Sequence, residues 1–175
     1  MIKLKAPFTK QKLADLEAGD RVLLSGKIYT ARDQAHKRMC DTAKQSSEMP
    51  FEIKNSVIYY CGPSPAKPGD AIGSAGPTTS YRMDSFAPVL LDMGQIAMIG
   101  KGDRGKEVIE AIKRNKAVYF AAIGGAGAYM SKCINKAKII AYEDLGAEAI
   151  RELEVSNMPL IVAIDSKGNS LYKKF

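Results

Sequence analysis

One histidine and three cysteines are all that the sequence offers as imidazole and thiol metal ligands. The cysteines, Cys40, Cys61 and Cys133, are odd in number, widely spaced and form no CxxC pair, and His36 stands alone. A self-contained zinc or cluster site needs ligands gathered at short spacing, so this pattern points to buried or inert thiols. Long apolar runs are also missing. Nothing approaches the roughly 20 continuous apolar residues that cross a bilayer, and the opening Met1-Ile2-Lys3-Leu4-Lys5-Ala6-Pro7 has no signal-peptide core. The expected location is therefore cytoplasmic, with no membrane contact. Neither a Walker pattern nor GxGxxG occurs, so a nucleotide is not indicated.

What is present is an ordinary globular balance, with 46% apolar and 26% charged residues in 175. A chain of this length buries a core without disulfide or metal staples. One compact domain over residues 1–175 is expected, without repeats, low-complexity tracts or linkers. The net charge of +7 suits nucleic acid, an acidic partner or a small anion. Nucleic acid is not expected: basic residues are scattered among acids, and no RNA-binding aromatic signature accompanies them. Even the densest basic stretch, Lys101 to Lys116, is diluted by Asp103, Glu107 and Glu110 and reads as a solvated helix face.

Glycines punctuate an alternation of apolar runs and helical patterns. Arg21 to Tyr29 reads as a strand bent at Gly26, and Asp33 to Lys44 as a helix with Asp33 as its cap. Val57 to Tyr60 is a short strand, and Gly62 to Pro77 a Gly/Pro-rich loop. Asp84 to Met93 reads as a helix stopped by Gly94, and Gln95 to Ile99 as a buried strand. Gly105 to Asn115 follows as a helix, then Val118 to Ile123 and Lys138 to Tyr142 as strands. Pro159 to Asp165 and Ser170 to Lys173 read as a closing hairpin about Lys167-Gly168-Asn169. Together these predict an α/β fold with a mixed sheet.

One segment looks chemical: Gly73-Ser74-Ala75-Gly76-Pro77-Thr78-Thr79-Ser80-Tyr81-Arg82-Met83-Asp84. Its glycines, Gly76 among them, let a backbone approach a ligand closely. Its hydroxyl residues precede a predicted helix N-terminus, which favours anions. Arg82 adds a fork suited to a carboxylate. The pattern suits a carboxylate or phosphate cradle, and it equally suits a Gly/Pro turn with an ordinary cap and a surface arginine. Arg32 and Lys101 follow two other predicted strands, where open α/β sheets commonly bind ligands. Gly124-Gly125-Ala126-Gly127-Ala128 offers another close approach, for a ligand or for strand–helix packing. His36 suits a proton shuttle, or else a helix-surface or partner-contacting residue.

Taken in order, LSGKIYTARDQAHKRM (Leu24 to Met39), YYCGPSP (Tyr59 to Pro65), GSAGPTTSYRMD, IGKGD (Ile99 to Asp103), AAIGGAGA (Ala121 to Ala128) and EVSNMPLIVAIDSKGNSLY (Glu154 to Tyr172) span nearly the whole chain. This succession resembles the β subunit, or C-terminal domain, of the iron-dependent class I fumarases and L-tartrate dehydratases. YMSKCI (Tyr129 to Ile134) departs from the helix that the family leads one to expect, and this touches no catalytic position.

The resemblance implies a swivelling β/β/α domain and a separate α subunit whose three cysteines hold a 4Fe–4S cluster. None is expected on this chain. It implies that Arg32 and Arg82 bind substrate carboxylates with Lys101 and Gly76, and that Thr78 and Thr79 lie beside the reacting carbons, one of them transferring a proton. The implied activity is that of a hydro-lyase acting on a small dicarboxylate, active only with its α subunit. Fumarate is the preferred substrate and L-tartrate the alternative. Two α and two β subunits, with β–β contacts, are the expected assembly. A non-catalytic anion-binding or assembly module is the alternative from another class.

Overall fold

The computed structural model describes residues 1–122 and 126–172. Seven strands form one mixed sheet: β1 (Ile2–Ala6), β2 (Arg21–Thr30), β3 (Val57–Tyr59), β4 (Ala97–Gly100), β5 (Val118–Ala121), β6 (Ile134–Ala141) and β7 (Ile150–Ile164). The helices are α1 (Lys10–Ala14), α2 (Asp33–Lys44), α3 (Ala87–Asp92), α4 (Lys106–Asn115) and α5 (Gly127–Lys132), with 3-10 turns at Ser80–Met83 and Glu143–Glu148.

Sheet order is β1-β2-β3-β4-β5-β7-β6, and β2 also pairs with β7, so β2, β3, β4, β5 and β7 close into a barrel. The neighbours from β1 through β5 pair in parallel, whereas β7 runs antiparallel to β2, β5 and β6. Alternation along β3 divides the core in two. Val57 and Tyr59 join the barrel-side cluster with Leu24, Ile99 and Phe120, while Ile58 joins Met39, Leu90, Met98 and Ile112 beneath α2, α3 and α4. All four residues of β4 are buried, as expected of a parallel strand covered on both faces. This layering agrees with the α/β, swivelling β/β/α expectation.

The bend at Gly26 is real and has a steric cause. Gly26 has φ +104, and a Cβ there would lie 2.1 Å from the Ala6 carbonyl oxygen of the adjoining strand. The β2–β7 register shifts at this point. In α4 the buried Val108, Ala111 and Ile112 repeat at helical spacing, and the helix ends on Lys116 in the left-handed region.

Several sequence expectations change. Asp33 is the first helical residue, Arg32 holds the N-cap position, and no side chain caps α2. The helix expected from Asp84 divides into the Ser80–Met83 turn and α3, which starts at Ala87 with Pro88 in its first turn. The closing hairpin is the end of a much longer strand: β7 runs 15 residues and, among the described residues, its return is the isolated bridge of Ile164 with Ser170. Strand β1 was not anticipated at all, and Tyr129 to Lys132 are helical in α5. The ends of two expected strands, Ile123 and Lys173, lie outside the described residues, as do Gly124 and Gly125 of the glycine-rich segment.

Candidate functional site

Because β2 to β5 run parallel, their carboxyl ends emerge along one rim, and the residues singled out from the sequence follow them. Arg32 leaves β2, Tyr60 to Gly62 leave β3 and Lys101 leaves β4. The ladder extends past the strands through Ala31 N–H to the Tyr59 carbonyl (3.1 Å) and Tyr60 N–H to the Ile99 carbonyl (2.8 Å). Arg32 passes close to the β3 end: a Cβ on Gly62 would lie 3.0 Å from both Cδ and Nη1 of Arg32. Only a residue without a side chain leaves Arg32 that course.

Arg32 and Arg82 meet at one carboxylate. Asp33 Oδ2 is 2.9 Å from Arg82 Nε, and Asp33 Oδ1 is 3.8 Å from Arg32 Nε. Glu148 Oε1 lies 4.0 Å from the same Arg32 nitrogen and accepts the Gln34 backbone N–H at 3.2 Å. Arg32 Nε and Asp33 Oδ1 are both buried without a hydrogen-bond partner. Buried polar atoms without partners are uncommon and call for an explanation. Here they belong to the guanidinium and carboxylate that the fold draws together at the rim.

Thr78 and Thr79 lie beside the β3 and β4 ends. Thr78 N–H donates to the Tyr60 carbonyl (2.7 Å), Thr79 forms a parallel bridge with Lys101, and Ser80 N–H donates to the Lys101 carbonyl (2.9 Å). Both threonines are half-buried, whereas Arg82 and Lys101 are exposed. Gly76 faces the start of α5, with Gly127 Cα 3.6 Å from where its Cβ would stand, and Ala75 N–H donates to the Gly127 carbonyl (3.1 Å). The fold thus gathers the six residues into two joined groups: Arg32 with Arg82 across Asp33, and Thr78 and Thr79 beside Lys101. Gly76 stands at the edge of the second. The helix-dipole contribution expected behind the threonines is weak, since they precede a single four-residue 3-10 turn. Positive charge comes from the side chains instead.

Beneath this rim lies a buried set of residues that spacing did not reveal. Arg104 Nε donates to Asp84 Oδ1 (2.7 Å), and the Gly105 N–H donates to Asp84 Oδ2 (2.6 Å). Tyr119 Oη lies 2.7 Å from the Gly102 carbonyl and 2.8 Å from Ser80 Oγ. Its one proton goes to the carbonyl, so the Ser80 hydroxyl must donate to Tyr119. No sequence signal separates Arg104 from the other basic residues of its stretch.

His36 is neither on the surface nor exposed to a partner. It is fully buried, its Nδ1 donates to the Arg32 carbonyl (2.9 Å), and its ring meets Tyr60 edge-on at 5.2 Å. Burial, aided by the charge of Arg104, lowers its pKa to about 4, so it is neutral at pH 7. That removes it as a proton shuttle near neutral pH.

The three thiols lie far apart from one another in the sequence. Cys40 and Cys61 are buried, Cys133 is partly so, and burial raises the pKa of all three, that of Cys61 to about 12. Among the described residues, no group of three or more His, Cys, Asp or Glu could hold a metal ion. No helix among them is long and apolar enough to cross a membrane.

A family profile described as Fumarase C-terminus matches residues 1–175. "Fumarate hydratase 2" of Leishmania major is 37% identical over 177 residues, which cover 99% of this chain and 31% of that protein. "Fumarate hydratase class I, anaerobic" of Escherichia coli is 34% identical over 165 residues, 93% of this chain and 30% of that protein. "Putative L(+)-tartrate dehydratase subunit beta" of Methanocaldococcus jannaschii is 40% identical over 173 residues, 95% of this chain and 89% of that protein. The chain therefore spans about a third of these fumarate hydratases and most of the length of the tartrate dehydratase subunit.

Proposed function

The chain belongs to the fumarase C-terminus family, and from that premise we propose that it is the β part of a hydro-lyase that adds water reversibly across the carbon–carbon double bond of a small dicarboxylate. The observation that carries this reading is the convergence of Arg32 and Arg82 on Asp33, at the rim where Thr78 and Thr79 lie beside Lys101. Such a rim suits an anion with two carboxylates and hydroxyl-bearing or unsaturated carbons between them.

In this proposal Arg32 and Arg82 bind the substrate carboxylates, with Lys101 contributing charge and Gly76 allowing close approach. Removing a proton next to a carboxylate builds negative charge on that carboxylate. The cations then stabilise the transition state more than the ground state, which is how binding becomes rate. A threonine hydroxyl is a poor base, so Thr78 or Thr79 moves the proton only with a carboxylate beside it. We assign that carboxylate, and the iron–sulfur cluster, to a separate α subunit. The active site is then an interface, this chain alone is inactive, and the complex is a cytoplasmic assembly of two α and two β subunits.

Fumarate is the proposed substrate. L-tartrate stands as the second reading, supported by the 40% identity to a putative tartrate dehydratase β subunit. Anaerobic co-expression with a cluster-bearing α subunit tests both, by following fumarate and L-tartrate separately. Turnover of either supports the hydro-lyase and names the substrate. If the assembled pair changes neither while still binding dicarboxylate, the chain is a non-catalytic anion-binding module.

A further inference from the structure

Arg104 is the bulkiest fully buried side chain among the described residues, with its guanidinium at 0% exposure. A buried ion pair is seldom more stabilising than well-packed apolar groups of the same volume. Stability alone therefore does not account for Arg104, and its contacts suggest another role. Besides Asp84 Oδ1, the guanidinium reaches Tyr60 Oη through Nη2 (3.2 Å) and Met98 Sδ through Nη1 (3.4 Å). Its carbon stands 4.8 Å from the ring centre of Tyr119 and 5.2 Å from that of Tyr60, a cation between two aromatic rings.

Three of the groups that Arg104 touches, Tyr60, Tyr119 and Asp84, each hold one of the two segments of the rim. Tyr60 accepts the Thr78 N–H at its carbonyl. Tyr119 bridges Ser80 to the Gly102 carbonyl. Asp84, at the end of the Ser80–Met83 turn, takes Arg104 with one oxygen and the Gly105 N–H with the other. The space between the segments is fully used: a Cβ on Gly100 would stand 1.9 Å from Ser80 Oγ and 2.9 Å from Tyr60 Cδ2.

We propose that Arg104 is a positioning residue: through Asp84, Tyr60 and Tyr119 it fixes the segment bearing Thr78, Thr79 and Arg82 against the turn bearing Lys101. That the fixed groups act on substrate rests on the function proposed above; the tie between the segments does not. Arg104 touches no substrate. It sets the spacing between groups that do.

Two variants test this. Arg104→Lys keeps the charge but loses the planar fork that serves Asp84 and Tyr60 together. Tyr119→Phe keeps the ring and deletes only the hydroxyl that joins Ser80 to Gly102. Amide hydrogen exchange on the full chain should show the Ser80 and Gly105 N–H groups opening roughly 10-fold faster in Arg104→Lys, with amides of the β2–β7 ladder unchanged. Tyr119→Phe should do the same at Ser80, and it decides the matter if the lysine variant does not fold. In the complex with the α subunit, Arg104→Lys should lower kcat by about 10- to 100-fold, with KM nearly unchanged, as small misplacements do. Uniformly faster exchange across the barrel, or wild-type exchange at both amides, overturns the proposal. Local loosening with wild-type kcat overturns its catalytic half. A wild-type pair without turnover sinks the hydro-lyase reading, while the exchange data still decide whether Arg104 ties the two segments.

Discussion

Arg82 Nε stands 2.9 Å from Asp33 Oδ2, and that single carboxylate also faces Arg32, so two cations from different parts of the chain share one counter-charge. Arg82 is 47% exposed in this pair. Partly exposed ion pairs contribute about 0–1 kcal/mol, because water and salt screen them. Arg82→Ala should therefore move unfolding free energy by no more than about 1 kcal/mol and leave assembly with the α subunit intact. Turnover should fall by about 100-fold or more, the scale for removing one donor that stabilises developing charge. Thermal melts, size-exclusion chromatography and initial rates check the three parts. Wild-type activity in this variant removes Arg82 from the site.

Two glycines separate packing from ligand access. At Gly100 a methyl group would collide with Ser80 Oγ at 1.9 Å in a buried strand. Gly100→Ala should destabilise the protein by about 1–3 kcal/mol, as overpacking does. At Gly76 the nearest atom to a new Cβ, Gly127 Cα, is 3.6 Å away, an ordinary contact. Gly76→Ala should be neutral within about 0.5 kcal/mol. If substrate approaches Gly76 closely, that methyl group should still raise KM by about 10-fold or more. Urea titration and steady-state kinetics on both variants test the contrast, and a Gly76→Ala enzyme with wild-type KM takes Gly76 out of the binding surface.

Much of the fold is written in local patterns, and what escaped is non-local. The Gly26 bend, the buried β4 and the apolar face of α4 each follow from periodicity over ten residues or fewer. Strand β7 has the same alternation, Leu153 and Val155 in, Glu152 and Glu154 out, but its charged residues disguise it as surface chain. The reason for those charges lies on other strands. Lys27 pairs with Glu152 at 3.8 Å and Lys136 with Glu154 at 3.7 Å. Asp33 was legible as a helix-start residue, whereas its place between two arginines depends on the parallel pairing of β2 with β3. Arg104 lies in a basic stretch that reads as solvated, and only its packing against Tyr60, Met98 and Tyr119, which come from other parts of the chain, buries it.

The thiols give a test that needs no substrate. Burial pushes the Cys61 thiol up to about 12 and raises Cys40 and Cys133 as well. The thiolate is the reactive form, so all three should alkylate slowly in the native protein at pH 8. Cys133, which is partly exposed, should react first and Cys61 last. Iodoacetamide labelling read by mass spectrometry, with and without urea, gives the order. Rapid native labelling of Cys61 would show an accessible thiolate and overturn this order.

His36 makes stability depend on pH in a defined direction. Its folded pKa of about 4 lies below the 6.5 of an unfolded histidine, chiefly because burial opposes the charged form. Between those values the unfolded chain binds a proton that the folded one refuses, so stability falls as pH falls from about 6.5 to 4. The loss attributable to this residue is about 3 kcal/mol, at 1.36 kcal/mol per pH unit of separation. Above pH 7 it contributes nothing, since both states are neutral there. His36→Phe isolates the effect: the slot is lined by the Tyr60 and Phe86 rings, and the Arg32 carbonyl keeps the residue-36 backbone N–H at 2.8 Å. Carboxylates titrate in the same range, so the informative quantity is the wild-type curve minus the variant curve in urea unfolding. That difference should change by about 3 kcal/mol between pH 7 and 4. Parallel curves would mean that His36 accepts its proton in the folded protein, and with it would return the possibility that this histidine carries protons at the rim.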